Sequence, residues 1–287
     1  MVDETTRSTK LSEMYTVGDF RALGAPPAFN GDEIIVLRSA ETISEVFPDW
    51  VSRSGLTENN LIPFDVNCPV ELPNRSEIRK SYSADPPLSE MGKITAKMMG
   101  REIIERKIIP TVIISTPDLA SVETAAIIQK FIGLEKSPKI RIEPELSTMH
   151  NVKNVFFNRD EFLRMGINID SKTNQLKAIT SNSEFVDLVN HIKRAFHELT
   201  NKQDSNILMI VDALSAKIIA SLFYGVEFAK NRDNLEEERL KAISNFPPLA
   251  SFSTFRVPGS GNKMYDISPV TLRPLNYTGF SSNIELD

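Results

Sequence analysis

Apolar residues are spaced along this chain in two rhythms. Four short runs, IIVL at 34–37, TVIIS at 111–115, KIRIE at 139–143 and NILMIV at 206–211, are rich in Ile and Val. Runs of that length, bounded by polar residues, read as buried strands. Longer segments between them place apolar residues every three or four positions: LSEMGKITAKMMGREIIERK from Leu88, DLASVETAAIIQKFIG from Asp118, SEFVDLVNHIKRAFHELTNK from Ser183 and SAKIIASLFYGVEFAK from Ser215. That period predicts helices, and Ser89 and Ser183 stand where a helix start is favoured. The first run is itself followed by a helix-like pattern through Phe47. Strands alternating with helices of this length imply βαβ units. The expected fold is therefore α/β, a three-layer sandwich with a mostly parallel sheet and helices on both faces. From Asn245 onward the rhythm changes, and FPPLASFSTFRV and NKMYDIS predict late strands joined by turns. Residues 1–30 lack periodicity and read as a polar N-terminal arm, leaving 31–287 as the domain. No internal repeat or low-complexity tract interrupts it.

Composition adds exclusions. With 287 residues and 41% hydrophobic content the chain has enough apolar surface for a large core. Its 33 Lys plus Arg against 38 Asp plus Glu leave a net charge of -5 without a basic stripe, which argues against nucleic acid or an anionic membrane as partner. The polar start MVDETTRSTK and the lack of any long apolar window predict neither a signal peptide nor a membrane span. Cys68 is the single cysteine, so no internal disulfide is possible, and a reducing, cytoplasmic compartment is expected.

Ligands of a parallel sheet bind beyond the carboxyl ends of its strands, so the residues there are the candidates for chemistry. They are Arg38 to Glu41, Thr116 to Ala120, Glu145 to His150, and Asp212 to Ser215. His150 follows the third strand closely and is the histidine placed to enter such a site. His191 and His197, six apart on one helix, share no face and read as solvated. Lys217 reads as a surface lysine. PGSGNK at 258–263 lacks the spacing of a phosphate loop and reads as a turn. NRS at 74–76 and NYT at 276–278 match a glycosylation pattern that carries no weight without a secretory signal. NRDNLEEERLKAISN reads as a solvated charged face. Nothing here calls for a metal or a cofactor.

Five stretches in register, VLRSAETISEVFPDW, YSADPPLSEMGKITAKMMG, ISTPDLASVETAAIIQ, RIEPELSTM and NILMIVDALSAKIIA, resemble the histidine phosphatase superfamily, whose fold is phosphoglycerate-mutase-like. Within it, Asp85 to Ser89 and the FPPLASFSTF run are most similar to the phosphatase domain of the T-cell receptor signalling suppressors and the ecdysteroid-phosphate phosphatases. The resemblance implies a catalytic Arg-His-Gly after the first strand; this chain has Arg38, Ser39 and Ala40 there. The further phosphate-binding arginines fall on Thr42 and Ala120, the acid on Thr148, and the second histidine on Asp212. Of those positions Arg38 alone keeps the family residue.

Phosphoryl transfer depends on neutralising the charge of the transferred group. At an effective dielectric near 20, a unit charge about 4 Å away is worth roughly 4 kcal/mol, so Asp212 in place of a cationic partner repels a phosphate dianion. The expectation is a pseudophosphatase that serves as a binding or regulatory scaffold, with Arg38, Glu41 and His150 as the residual pocket. An ion pair between Arg38 and Asp212 is expected to fill it, because a buried guanidinium needs a partner. Two other readings stand beside this one: a weak hydrolase using Ser39 with Asp212 as base, or His150, and a small-molecule sensor using the altered pocket. The resemblance further implies a homodimer and protein partners from signalling. No ubiquitin-binding or Src-homology module is expected in the short arm.

Overall fold

Ile34, Ile35, Val36 and Leu37 are all buried, alternating between the two faces of a central strand, β1 (Glu33–Arg38). The structure, a computed structural model, describes residues 33–105, 110–133, 137–148, 155–171, 185–201, 206–223, 248–256 and 265–268. All of them belong to the unit Gly31–Asp287. The arm expected over 1–30, the Ser183 cap, His150, the 258–263 turn, NYT at 276–278 and the charged stretch at 231–245 lie outside the described residues.

The sheet has the order β3-β2-β4-β1-β5-β6. Its first four strands, β3 (Ile140–Ile142), β2 (Val112–Ser115), β4 (Ile207–Val211) and β1, run parallel. β5 (Ser251–Arg256) and β6 (Tyr265–Ser268) complete it antiparallel. Each apolar run is thus a strand, within a residue of the expected bounds, and the sheet is mostly parallel as expected. In the β1–β4 register Ile34 faces Ile207 and Arg38 faces Val211, so the two strands end together and deliver Ser39 and Asp212 to the same edge.

One face of the sheet buries Ile34, Val36, Ile114, Ile207, Met209 and Val211 against Val189, Ile192 and Phe196 of helix Phe185–Asn201 and Ile218 and Ile219 of helix Ala213–Phe223. The alternate residues Ile35, Leu37, Ile113, Leu208 and Ile210 point to the other side. There helix Leu119–Ile132 packs on β2, β3 and β4 and against helix Glu90–Glu105. Short helices that the periodicity missed, Trp50–Arg53, Ile78–Ala84 and Arg159–Arg164, are too brief to show a period. Helix Ala213–Phe223 begins two residues before the expected Ser215, because Asp212 caps it.

Helix Glu90–Glu105 comes hard against the loop that follows β1. A Cβ on Gly92 would lie 2.2 Å from the Glu41 carbonyl oxygen, so only glycine permits this approach. The Glu41 carbonyl accepts from the Ser89 amide (3.0 Å), and the Ser89 hydroxyl accepts from the Gly92 amide (2.9 Å), capping the helix as the sequence predicts.

Candidate functional site

The site is built at the carboxyl edge of β1, β2 and β4. Arg38 is the last residue of β1; its amide donates to the Ala250 carbonyl and the next amide, Ser39, donates to Val211 (2.9 Å each). Ser39 and Ala40 are buried, and the Ala40 amide donates to Thr124 Oγ1 at 3.0 Å. Burial pulls the Arg38 guanidinium down to about 10, with the nearby Asp212 carboxylate opposing the shift.

Arg38 does not make the expected ion pair with Asp212. Its guanidinium donates to the Glu45 carboxylate instead. Local chemistry explains the choice. Thr42 caps helix Ile43–Val46, its hydroxyl accepting from the Glu45 amide (3.3 Å) while Glu45 Oε2 accepts from the Thr42 amide (2.8 Å). This capping box fixes Glu45 one turn beyond Thr42 and seven residues beyond Arg38, and the Thr-x-x-Glu spacing at 42–45 was a readable signal for it.

Asp212 is spoken for elsewhere. Its Oδ1 accepts from the amides of Leu214 (3.0 Å) and Ser215 (2.9 Å) and from the Thr148 hydroxyl (3.1 Å). Its Oδ2 accepts from the Ser215 hydroxyl at 2.5 Å. The two polar positions at 148 and 212 are thereby brought together across 64 residues of chain.

Ala120 is buried in the first turn of helix Leu119–Ile132, whose N-cap is Asp118. Asp118 Oδ2 accepts from the Ser121 amide at 3.0 Å. Burial, and after it the Asp212 charge, pushes the Asp118 carboxyl above its ordinary range. Asp118 lies in the stretch after the second strand but received no role from the sequence; an Asp directly before a helical period was its signal.

Glu41, expected in the residual pocket, is buried and accepts from the Ser89 hydroxyl (2.7 Å) and Asn67 Nδ2 (3.1 Å), tying the loop to helix Glu90–Glu105. His191 and His197 lie on helix Phe185–Asn201, and burial followed by Lys193 lowers the His197 pKa. Lys217 is half-buried on helix Ala213–Phe223. Among the described residues no group of three or more His, Cys, Asp or Glu is arranged to hold a metal ion.

Behind Asp118 lies a second buried charge cluster. Asp85 accepts from the Leu119 amide (2.7 Å) and from Arg75 (2.8 Å). Arg75, itself buried, also donates to the carbonyls of Asp85 (3.1 Å) and Val155, and lies over the rings of Phe157 and Tyr82. Glu123 Oε2 accepts from the Leu88 amide at 2.8 Å. Desolvation pushes both Asp85 and Glu123 up to about 7, against the pull of Arg75 on each.

The chain is similar to several known proteins. It is 33% identical over 130 residues to the mouse protein "Ubiquitin-associated and SH3 domain-containing protein A", which covers 45% of this chain and 20% of that protein. To "Ecdysteroid-phosphate phosphatase" of Bombyx mori it is 22% identical over 214 residues, 71% of this chain and 31% of the relative. The crystal structure of the Bombyx ecdysone phosphate phosphatase, in complex with tungstate, superposes with a TM-score of 0.67 at 19% identity, covering 89% of this chain and 97% of that one. The fold is phosphoglycerate-mutase-like. Its homologues are the ubiquitin-associated and SH3 domain-containing proteins and the ecdysteroid-phosphate phosphatases. No family model matches the chain. The chain spans about a fifth to a third of the length of these curated relatives.

Within this phosphoglycerate-mutase-like frame several positions singled out by the resemblance hold structural contacts. Thr42 caps a short helix, Ala120 is packed into another, and Thr148 and Asp212 bond to each other.

Proposed function

We propose that this chain is a pseudophosphatase, a phosphatase-fold domain that serves as a binding or regulatory module and does not transfer phosphoryl groups. One observation carries the reading. Helices Leu119–Ile132 and Ala213–Phe223 both start at the carboxyl edge of the sheet, and each start is capped by a carboxylate of the chain itself, Asp118 and Asp212. A helix N-terminus offers amide donors and a positive dipole end to an anion. Here the chain's own anions take those donors, and Arg38 is held by Glu45. A phosphate dianion entering the site meets two carboxylates and one guanidinium already paired.

The test is turnover of an aryl phosphate by the purified chain beside a variant combining Ser39→His, Thr42→Arg, Ala120→Arg and Asp212→His. No turnover by the natural chain is expected. Turnover that disappears on Arg38→Ala, or a phosphoryl group trapped on the polypeptide, would overturn the reading. A weak phosphatase is the second reading, favoured by the names of the silk-moth and fruit-fly relatives, which are phosphatases. It would have to run through a hydroxyl such as Thr148, whose Oγ1 lies 3.1 Å from Asp212, and Thr148→Val would abolish it. The homodimer, the signalling-protein partners and the cytoplasmic setting that the resemblance implies are carried as part of this proposal.

A further inference from the structure

Helix Glu90–Glu105 turns Ile94, Lys97, Met98, Arg101, Ile104 and Glu105 outward. An outward helix face is ordinarily polar. Three of these six are large and apolar, with Ile94 47%, Met98 40% and Ile104 45% exposed. Phe131, 43% exposed, joins them from the last turn of helix Leu119–Ile132. A Cβ on Gly100 would lie 2.9 Å from the Phe131 Cβ, so the phenyl group crosses the first helix at Gly100. Ile104 stands one turn beyond Gly100 on the same face, as Met98 stands one turn beyond Ile94. Ile94, Met98 and Ile104 are spread over about 120° of the helix surface and about 15 Å of its length, with Lys97 and Arg101 among them and Phe131 at the Ile104 edge.

The charges around these side chains are lopsided. Lys93 pairs with Glu90 (2.7 Å) and Arg101 with Glu105 (2.6 Å), which cancels those four. Glu102 is half-buried and engaged in a contact of its own. Lys97, between Ile94 and Met98, and Lys130, beside Phe131, are exposed and form no ion pair with any described residue. These exposed apolar side chains are therefore accompanied by two positive charges that no described residue pairs, on a chain whose net charge is -5.

We propose that this face is a docking surface for an amphipathic helix of a partner protein, one that carries acidic residues beside its apolar stripe. The inference rests on the reading of the chain as a binding module and names the chemistry of what it binds. Exposed Met and Phe are side chains that partner helices use as anchors, and acidic flanks would answer Lys97 and Lys130. A second copy of this chain is a poorer occupant, because self-pairing would set two faces of the same sign against each other.

The probe is a fluorescent 18-residue helical peptide with leucines along one face and glutamates beside them, compared by anisotropy with a twin carrying lysines in place of the glutamates. The natural chain should bind the glutamate peptide and discriminate against the lysine twin. Ile94→Glu with Met98→Glu should weaken that binding by about ten-fold or more, equivalent to about 1.4 kcal/mol. Lys97→Glu with Lys130→Glu should reverse the preference between the two peptides. All four positions are exposed, so thermal melting of these variants should stay near that of the natural chain. No binding of the glutamate peptide, equal binding of both peptides, or unchanged binding by the variants would overturn the proposal. So would a dimer in sedimentation velocity that Ile94→Glu with Met98→Glu disperses, which would assign the face to a second copy. Aryl-phosphate turnover measured on the same preparation separates the two ideas: turnover with peptide binding intact sinks the pseudophosphatase alone, and loss of peptide binding without turnover sinks the docking surface alone.

Discussion

At position 212 one carboxylate is a structural part. It caps a helix and holds the Thr148 hydroxyl, so its charge is spread over amide and hydroxyl donors rather than offered to a ligand. Asp212→Ala removes the cap and should lower stability by about 1–2 kcal/mol, whereas Asp212→Asn keeps a capping oxygen and should lose much less. Urea unfolding of the two variants side by side checks this; equal losses would mean that the negative charge, not the cap, is what matters. Asp118 plays the same part at the helix that carries Ala120. Arg38 is answered by the carboxylate that a neighbouring capping box already fixes in place, because the oxygens of Asp212 are occupied.

Among the elements, helix Glu90–Glu105 and the loop 39–42 form a close joint. Four contacts tie it: the Ser89 amide and hydroxyl to Glu41, Asn67 to Glu41, and the Gly92 backbone against the Glu41 carbonyl. The Gly92 contact admits no side chain. Gly92→Ala, normally favourable inside a helix, should here cost about 1–3 kcal/mol through overpacking and displace the site loop. A denaturation midpoint equal to or above that of the natural chain would show that the helix can withdraw at no cost. Glu41 was expected in the pocket from its place after β1, and it serves instead as the loop's anchor. Its partners Ser89 and Asn67 are 48 and 26 residues away, beyond the reach of any local pattern.

For the molecule as a whole, the buried Asp85 and the half-buried Glu123 contribute to how stability follows pH. Asp85 and Glu123 are raised to about 7 by desolvation, while in an unfolded chain they would titrate near 4. Between those values the folded state holds protons that the unfolded state has released. Stability contributed by these groups is therefore present at acid pH, is lost progressively as the pH rises from about 4 to about 7, and changes little above that. Urea midpoints at pH 5, 6, 7 and 8 should fall and then level, and Glu123→Gln should flatten the slope. Midpoints that rise across this range would show that both groups are ionised in the folded protein.

The chain's own pattern determined the alternation of strands and helices, the mostly parallel sheet and the strand ends at which a site must form, and its residue types put Ser39, Thr42, Ala120, Thr148 and Asp212 where the resemblance implies phosphatase residues. These follow from hydrophobic period and residue type, which act over a few neighbouring positions. The tertiary structure alone decided which carboxylate answers Arg38, that Glu41 turns to Ser89 and Asn67, and that Asp85, Arg75, Asp118 and Glu123 share one buried region. Those outcomes depend on which donors and acceptors remain unsatisfied once the sheet has closed, and burial makes each unsatisfied group costly enough to choose its partner across the chain.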